Sequence, residues 1–139
     1  MIDRYSRKEI KEIWDDKNKY SIWLDIELAA AEAMEKLKII PRGVSKAVKK
    51  KGKINVKRIL QIEEKVKHDV IAFLTSITEK TGKEARYLHK GMTSSDVLDT
   101  CFNLQLKQSG EILLKDLIVL ISTLKKQAIK NKFTIKKIW

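Results

Sequence analysis

Apolar residues recur at intervals of three and four positions along most of the chain, which is the spacing of one face of an α-helix. The spacing predicts four helical segments in the first part of the chain, over residues 7–14, 19–38, 44–51 and 56–81. We expect Ser6 to cap the first, Pro41 to end the second, Gly52 to close the third and Asn55 to cap the fourth. With 1 Pro and 5 Gly in 139 residues, material for turns is scarce. We therefore predict an all-α fold.

A longer apolar pattern begins at Ser94 and continues to about Lys130, after an irregular segment that follows Gly82. At 1.5 Å per residue, such a helix is roughly 50 Å long. The rest of a 139-residue chain is too small to cover its apolar side. We therefore predict that this helix belongs to a larger bundle or oligomer.

The start of the long helix carries several polar residues. Thr93-Ser94-Ser95-Asp96 fits a capping box, with Thr93 as the N-cap residue and Asp96 three positions later. A helix start also offers free backbone N–H groups and the positive end of the helix dipole to a phosphate or carboxylate. The hydroxyls of Thr93 and Ser94 and the charge of Lys90 favour an anion, whereas the charge of Asp96 opposes it. The residues alone leave both interpretations open, a plain cap and an anion site.

The formal net charge of +12 arises after residue 40. Residues 1–40 hold 8 Lys and Arg against 9 Asp and Glu, and residues 41–139 hold 22 against 9. The excess is nearly all Lys and is dispersed over several segments, whereas proteins that read nucleic-acid sequence favour clustered Arg. We therefore expect no nucleic-acid partner, while attraction to anionic metabolites stays open.

The single cysteine, Cys101, excludes an internal disulfide and a cysteine-based zinc site. Its neighbours Leu98, Leu104 and Gln105 indicate a buried thiol rather than a nucleophile. No stretch approaches the ~20 apolar residues of a membrane span, and the N-terminal sequence does not read as a signal peptide. We expect a cytoplasmic protein with no membrane partner.

The two histidines are the remaining candidates for chemistry. His68 is predicted to lie within a helix but off its apolar stripe. It is either a surface residue paired with a local carboxylate or an imidazole that Asp69 orients toward a substrate. His89 lies in the irregular segment, two residues before Gly91, and that position suits a ligand better. Two histidines with no further ligand three or four positions away make no metal site.

Three segments resemble the bacterial adenylosuccinate lyases, which belong to the aspartase/fumarase superfamily. The sequence MIDRYSRKEIKEIW is similar to the N-terminus of that family, and KHDVIAF at 67–73 resembles its RHDVVAF segment. HKGMTSSDVLDT at 89–100 is similar to its H-x-G-x-T-S-x-D-x-x-D-T segment. The order and spacing also match, and the resemblance covers residues 1–134. It implies an N-terminal helical domain at 1–92 and, at 93–139, the truncated start of a central helical bundle.

The resemblance implies a C–N lyase that eliminates fumarate from adenylosuccinate to give AMP, and from the succinylcarboxamide ribotide earlier in purine synthesis. A general base removes a proton beside a succinyl carboxylate, and a general acid protonates the departing nitrogen. The family forms homotetramers, and it implies neither a cofactor nor a metal. Argininosuccinate lyase, fumarase-like and cycloisomerase relatives share the fold and stay as alternatives. A basic helical binding module is the alternative that is not an enzyme.

The resemblance also carries substrate-binding positions over to this chain, namely Arg4, Tyr5, Lys67, His68, Asp69, His89, Thr93 and Ser94. The first pair would contact the nucleotide end of the substrate, and the last pair would bind a succinyl carboxylate. His68 would assist positioning or proton transfer, and His89 would line the same pocket near the phosphate or base. The family has Arg where this chain has Lys67. This change weakens a bidentate contact but leaves a backbone contact unaffected.

Beyond Thr134, the sequence Ile135-Lys136-Lys137-Ile138-Trp139 does not resemble the family. The family continues there with a GRTHG-like segment, which holds the His usually assigned as general acid. The Ser assigned as general base follows later, in a Gly-rich loop. We therefore expect these 139 residues to hold substrate, to lack the main acid and base, and to be inactive alone.

Overall fold

The computed structural model of the chain describes residues 2–135, and it confirms the predicted all-α class. Among the described residues, two short 3₁₀ segments, Asp3–Tyr5 and Gly82–Tyr87, accompany six α-helices. The helices are α1 Lys8–Ile13, α2 Asp16–Lys36, α3 Val44–Lys51, α4 Val56–Val66, α5 Asp69–Thr81 and α6 Ser94–Lys130. Residues 136–139, which contain most of the ending that departs from the family, lie outside the described residues. Within the described part, no helix is both long and apolar enough to cross a membrane.

Three aromatic side chains form the centre of the first compact unit, Met1–Gln105. Tyr20 and Trp23 lie on α2 and Phe73 lies on α5, and each is at most 1% exposed. The rings of Tyr20 and Phe73 stack with centroids 6.0 Å apart, and Trp23 meets them edge-on at 5.2 and 5.5 Å. Such pairs contribute about 0.5–1.5 kcal/mol each beyond the burial of the rings. The cluster therefore packs α2 firmly against α5.

The corner between α1 and α2 is bound to the beginning of α6. The backbone carbonyl of Ile13 ends α1 and accepts two side-chain hydrogen bonds, from Nδ2 of Asn18 and Nε2 of Gln105, both at 2.8 Å. Gln105 is buried, so this bond also satisfies a polar group that would otherwise be costly to bury. The rings of Trp14 and Phe102 meet edge-on at 6.0 Å beside it.

The first two helices begin at other residues than predicted. The predicted cap at Ser6 is wrong, since its hydroxyl donates to the carbonyl of Ile2 at 2.8 Å, inside the preceding turn. Helix α1 starts one residue later than predicted and has no side-chain cap bond. Helix α2 starts at Asp16, three residues earlier than predicted, because the Asp15 carboxylate accepts from the backbone N–H of Lys17 at 2.9 Å.

Helix α2 ends before Pro41 is reached. Lys38 takes up a left-handed backbone conformation, with φ 60°, and this conformation terminates the helix at Lys36. The N–H groups of Lys38 and Ile39 then bond back to carbonyls of the last turn, at 3.1 and 2.9 Å. This is the usual hydrogen-bond pattern of a helix C-terminus closed by a left-handed residue. The left-handed conformation of Lys38, and not the steric effect of Pro41, therefore ends α2.

Helix α3 has the predicted bounds, and a carboxylate from α2 caps its N-terminus. The residue before it, Gly43, has φ 94° and no side chain with which to cap. Glu35 supplies the acceptors instead, since Oε2 accepts from the N–H of Gly43 at 3.0 Å and Oε1 from the N–H of Ser45 at 2.6 Å. These bonds, with the one from Ser45 as the largest cause, lower the pKa of Glu35 below its ordinary value.

The prediction of one continuous helix over 56–81 is wrong, because the helix is interrupted at Lys67. Asn55 caps α4 as predicted, accepting from the N–H of Arg58 at 3.1 Å. Lys67 then adopts a left-handed conformation with φ 55° and closes α4. His68 is extended, with φ −150° and ψ 117°, and is the N-cap residue of α5. Apolar spacing does not reveal this break, because buried positions on both sides keep a helical interval.

Helix α6 has the predicted bounds, Ser94–Lys130, and it crosses from the first compact unit into the second, Leu106–Trp139. The domain boundary predicted at 92/93 refers to the family fold and stays a prediction. In the second unit, many large apolar side chains are each more than half exposed, namely Leu113, Leu114, Leu117, Ile118, Val119, Leu120, Ile121, Leu124, Ile129, Phe133 and Ile135.

The first prediction concerns the cap on α3. Glu35→Gln should lower the free energy of unfolding by about 1 kcal/mol at pH 7, because an amide offers one acceptor oxygen to two N–H groups. The pKa of Glu35 is lowered on folding. The stability that the ionised Glu35 carboxylate contributes is therefore fully present above pH 4.5, the ordinary pKa of this group. That stability is lost as the pH falls through the lower pKa of the folded state.

Urea unfolding at pH 7 and pH 3, at matched protein concentration, measures this effect. Glu32→Gln is the matched control, because Glu32 is exposed on the same helix and makes no hydrogen bond or ion pair among the described residues. Equal stability of the two variants at pH 7 would contradict the cap.

The second prediction concerns the exposed apolar residues of α6. Exposed apolar area of this extent drives association. We expect the purified chain to self-associate, and Leu117→Lys together with Ile121→Lys to reduce its mean mass. Light scattering over a concentration series measures this, and a monodisperse monomer of the unmodified chain would contradict the expectation.

Candidate functional site

The predicted pair Arg4 and Tyr5 lies in the 3₁₀ turn Asp3–Tyr5, before α1. The guanidinium carbon of Arg4 lies 4.8 Å from the centroid of the Tyr5 ring, which is a cation–π contact. Both side chains are exposed, Tyr5 by 74%. The two residues therefore present one cationic and one aromatic group, which suits a nucleotide base or phosphate.

The segment Lys67–Asp69 forms the junction between α4 and α5. Lys67 is exposed and lies with Leu60, Glu63 and Glu64 around an open depression of about 510 Å³. The predicted proximity of His68 to Asp69 is present, with Nδ1 3.6 Å from the nearest carboxylate oxygen. Both side chains are about two-fifths exposed, so both are accessible to a ligand.

His68 has a structural task as well. Its Nδ1 lies 3.4 Å from the backbone N of Ile71 and accepts from that N–H at the start of α5. The Asp69 carboxylate accepts from the N–H of Val70 at 2.7 Å in the same turn. The first turn of α5 is therefore capped by two of the predicted substrate-binding residues.

His89 is bound to a residue that the sequence analysis did not identify, Glu27. The backbone N–H of His89 donates to Oε2 of Glu27 at 2.7 Å, and its ring Nδ1 lies 2.7 Å from Oε1. The side chain of Glu27 is 0% exposed and that of His89 is 21% exposed. Helix α2 therefore holds the irregular segment in place through one buried carboxylate.

The start of α6 confirms part of the predicted capping box. The backbone N–H of Thr93 donates to Oδ2 of Asp96 at 2.8 Å, so the third helical residue reaches back to the cap position. The N–H groups of Ser94 and Ser95 precede the first carbonyl of the helix ladder, and no other described residue accepts from them. Gly91, two residues before Thr93, has φ 70°, and a Cβ added there would meet no other atom within 4 Å. An anion at this helix start would therefore meet two free N–H groups beside one acidic side chain.

The predicted site residues form four local groups, at Arg4–Tyr5, Lys67–Asp69, His89 and Thr93–Ser94. Contacts exist within the groups, but in the part of the chain that the structure describes no hydrogen bond or ion pair joins one group to another. Their common role in one site therefore stays a prediction.

The described residues contain no metal-binding cluster, and their one cysteine is buried. Over residues 2–135, no cluster of three or more His, Cys, Asp or Glu side chains can hold a metal ion. Cys101 is buried as predicted, and its burial raises the pKa of the thiol above its ordinary value. A buried, protonated thiol is a poor nucleophile.

The position of Glu27 in the sequence indicates that this residue is buried. It lies four residues after Trp23 and four before Ala31, and both of these are buried on α2. The helical interval of four places Glu27 on the same face. A carboxylate at a core position needs a partner, and this requirement identifies it as a residue to examine.

Comparison with known proteins shows extensive similarity to one group of enzymes. A family model described as Lyase matches residues 4–137. Adenylosuccinate lyase from Bacillus subtilis is 41% identical over 97% of this chain and 31% of its own length. Adenylosuccinate lyase from Synechocystis sp. is 44% identical over 97% of this chain and 31% of its own length. The chain thus spans about a third of the length of these curated relatives.

Two solved structures are similar in fold. Fumarate lyase from Mesorhizobium sp. BNC1 superposes with a TM-score of 0.65 over 74% of this chain and 26% of its own, at 24% identity. The β-carboxy-cis,cis-muconate cycloisomerase from Acinetobacter calcoaceticus sp. ADP1 gives a TM-score of 0.72 over 89% of this chain and 31% of its own, at 23% identity. These likenesses confirm the predicted fold class.

The third prediction separates the structural task of His68 from its chemistry. His68→Ala removes the acceptor of the Ile71 N–H and should lower the free energy of unfolding by about 0.5–1 kcal/mol. His68→Asn should restore most of this loss, because the Asn side-chain oxygen is a good N-cap acceptor. Thermal unfolding at pH 7 measures both, and equal destabilisation by the two variants would contradict the cap.

Proposed function

Because the chain belongs to the lyase family whose model matches residues 4–137, we propose that it forms the N-terminal substrate-binding part of an adenylosuccinate lyase. The observation that carries the proposal is the 41–44% identity to two adenylosuccinate lyases along 97% of the chain. The two fold relatives with other activities are 23–24% identical. The purine enzyme is therefore favoured over other members of the fold.

The proposed reaction is a β-elimination. A base removes a proton from the succinyl carbon next to a carboxylate, the C–N bond breaks, and an acid protonates the departing nitrogen. Adenylosuccinate then gives fumarate and AMP, and the succinylcarboxamide ribotide reacts likewise. No cofactor is required, because the substrate's own carboxylate stabilises the carbanion when donors surround it.

The start of α6 is proposed to bind that carboxylate. Thr93 N–H is already bonded to Asp96, so the donors for the substrate are the N–H groups of Ser94 and Ser95 with the Thr93 and Ser94 hydroxyls. The helix dipole adds positive potential at the same place. The charge of Asp96 opposes this binding, and more strongly as the carboxylate gains charge, so the stabilisation of the transition state must come from the N–H groups and the hydroxyls.

The remaining predicted residues are proposed to hold the other parts of the substrate. Arg4 and Tyr5 contact the nucleotide end, and His89 lines the pocket near the phosphate or base. Lys67, His68 and Asp69 form a further binding segment, in which His68 assists positioning or proton transfer.

Backbone geometry supports the assignment of His89. This residue adopts a left-handed backbone conformation, with φ 59°, away from any α-helix terminus, whereas Lys38 and Lys67 adopt it where α2 and α4 end. For a residue with a side chain this costs about 1–2 kcal/mol. Such conformations are concentrated at functional sites, where surrounding structure maintains them.

The assembly is proposed to be a cytoplasmic homotetramer in which α6 belongs to a central bundle that starts near residue 93. The exposed apolar side chains of residues 106–130 support this, because a bundle would cover them. A basic helical binding module is the alternative from another class. It predicts nucleic-acid binding that weakens steeply with salt.

The fourth prediction tests the function directly. A hybrid in which the matching 135 residues of this chain replace their counterpart in the Bacillus subtilis enzyme should release fumarate from adenylosuccinate. In that hybrid, Ser94→Ala should lower kcat/KM by roughly 10- to 100-fold, because a hydrogen bond to a charged group is lost. Ser95→Ala, one residue further along the helix, is the matched control.

Ultraviolet absorbance measures fumarate release. A hybrid that assembles but has no activity, or equal effects of the two serine variants, would contradict the proposal. The purified 139-residue chain alone should release no fumarate, since the resemblance places the main acid and base outside it. Measurable turnover by the chain alone would overturn that part of the proposal.

A further inference from the structure

Glu27 is a carboxylic acid in the core of the first compact unit, and the proposed function gives it no role. Its side chain is 0% exposed. Burying a carboxylate is costly unless hydrogen bonds replace the water that it loses. Both of its oxygens are bonded to one residue, His89, and each distance is 2.7 Å. The carboxylate and the histidine therefore form one unit, although they are 62 positions apart in sequence.

The two bonds fix different parts of His89. The bond from the backbone N–H stabilises the left-handed conformation of this residue, whose φ is 59°. The bond to Nδ1 orients the ring, because turning the imidazole over would remove Nδ1 from the carboxylate oxygen. The carboxylate of Glu27 therefore fixes both the backbone conformation and the ring orientation of His89, a predicted substrate-binding residue.

The same contact determines where the ring proton lies. An ionised carboxylate only accepts hydrogen bonds, so Nδ1 of His89 must carry the proton that faces Glu27. Oε2 of Glu27 accepts from the backbone N–H of His89. Nε2 is then the ring nitrogen that remains for a ligand.

His68 has the opposite arrangement. Its Nδ1 accepts from the backbone N–H of Ile71 at 3.4 Å, whereas the nearest carboxylate oxygen of Asp69, at 3.6 Å, lies beyond hydrogen-bond distance, so Nδ1 carries no proton while it caps the helix. The proton of the neutral ring then lies on Nε2. The two histidines of the chain thus differ in which nitrogen is protonated, and in each case a contact within the fold determines the difference.

We propose that Glu27 is a positioning residue that keeps Nδ1 of His89 protonated and thereby assigns Nε2 to the substrate, while His68 offers Nε2–H as a donor. A neutral His89 then accepts from an O–H or N–H of the nucleotide, and His68 donates to a carboxylate or phosphate oxygen. The proton assignment is independent of the proposed function, whereas its consequence for turnover rests on that function.

NMR spectroscopy of the full chain labelled with ¹⁵N-histidine tests the assignment, in solution or, for self-associated chain, in the solid state. The chain has 2 histidines, and His68→Asn identifies the signals of His89 by elimination. At pH 8 we expect a protonated Nδ1 in His89 and an unprotonated Nδ1 in His68. An unprotonated Nδ1 of His89 in the unmodified chain overturns the proposal, without any variant of Glu27.

Glu27→Gln then tests whether Glu27 is the cause. The amide has the same shape, but its NH₂ group can donate to Nδ1 while its oxygen accepts from the backbone N–H. We expect the proton of His89 to move to Nε2 in this variant. Glu32→Gln, an exposed position on the same helix, should leave the spectrum unchanged. A His89 spectrum that is the same in Glu27→Gln as in the unmodified chain overturns the role of Glu27.

The hybrid enzyme tests the consequence for turnover. Glu27→Gln should lower kcat/KM about 100-fold, as expected for a misoriented group in an active site. Glu32→Gln should leave kcat/KM unchanged. If the proton moves but kcat/KM does not change, the consequence for turnover is wrong. A hybrid that is inactive before any substitution counts against the proposed function alone, because the spectra still decide the proton assignment.

Discussion

The buried carboxylate of Glu27 is the contact on which the position of His89 in the candidate site depends. Residues 88–93, between the 3₁₀ segment Gly82–Tyr87 and α6, contain no helix, and so they gain their shape from elsewhere in the fold. Glu27 connects them to α2, and α2 in turn is fixed by the aromatic cluster of Tyr20, Trp23 and Phe73. Two hydrogen bonds from Glu27 thus connect His89, a loop residue, to the rigidly packed core.

Capping and the proposed substrate binding use the same residues in this chain. His68 and Asp69 cap α5, and Thr93 with Asp96 starts α6. A helix start is both a set of unsatisfied donors and a region of positive potential, so the residues that stabilise it also face an anionic ligand. The cap and anion-site interpretations of the Thr93–Asp96 segment are therefore compatible, although Asp96 already occupies one of the donors.

Local patterns predicted the fold class, α3 and α6 well, because apolar spacing and glycine positions determine them directly. The break at Lys67 was missed because Val66 and Val70 keep a helical interval across it. The start of α2 was missed because Asp15 was not considered as a cap. The bond between Glu27 and His89 joins distant parts of the chain, so no local pattern predicts the pairing, although the placement of Glu27 on a core face does indicate that a partner exists.

Glu27 fixes the loop of His89 to the core, and amide hydrogen exchange at His89 tests this role most directly. The backbone N–H of His89 donates to a buried carboxylate, so we expect it to exchange slowly in the unmodified chain. In Glu27→Ala it should exchange rapidly, while the amide of Phe73 in the core stays protected. Rapid exchange at His89 in the unmodified chain, or slow exchange in both, would contradict the account.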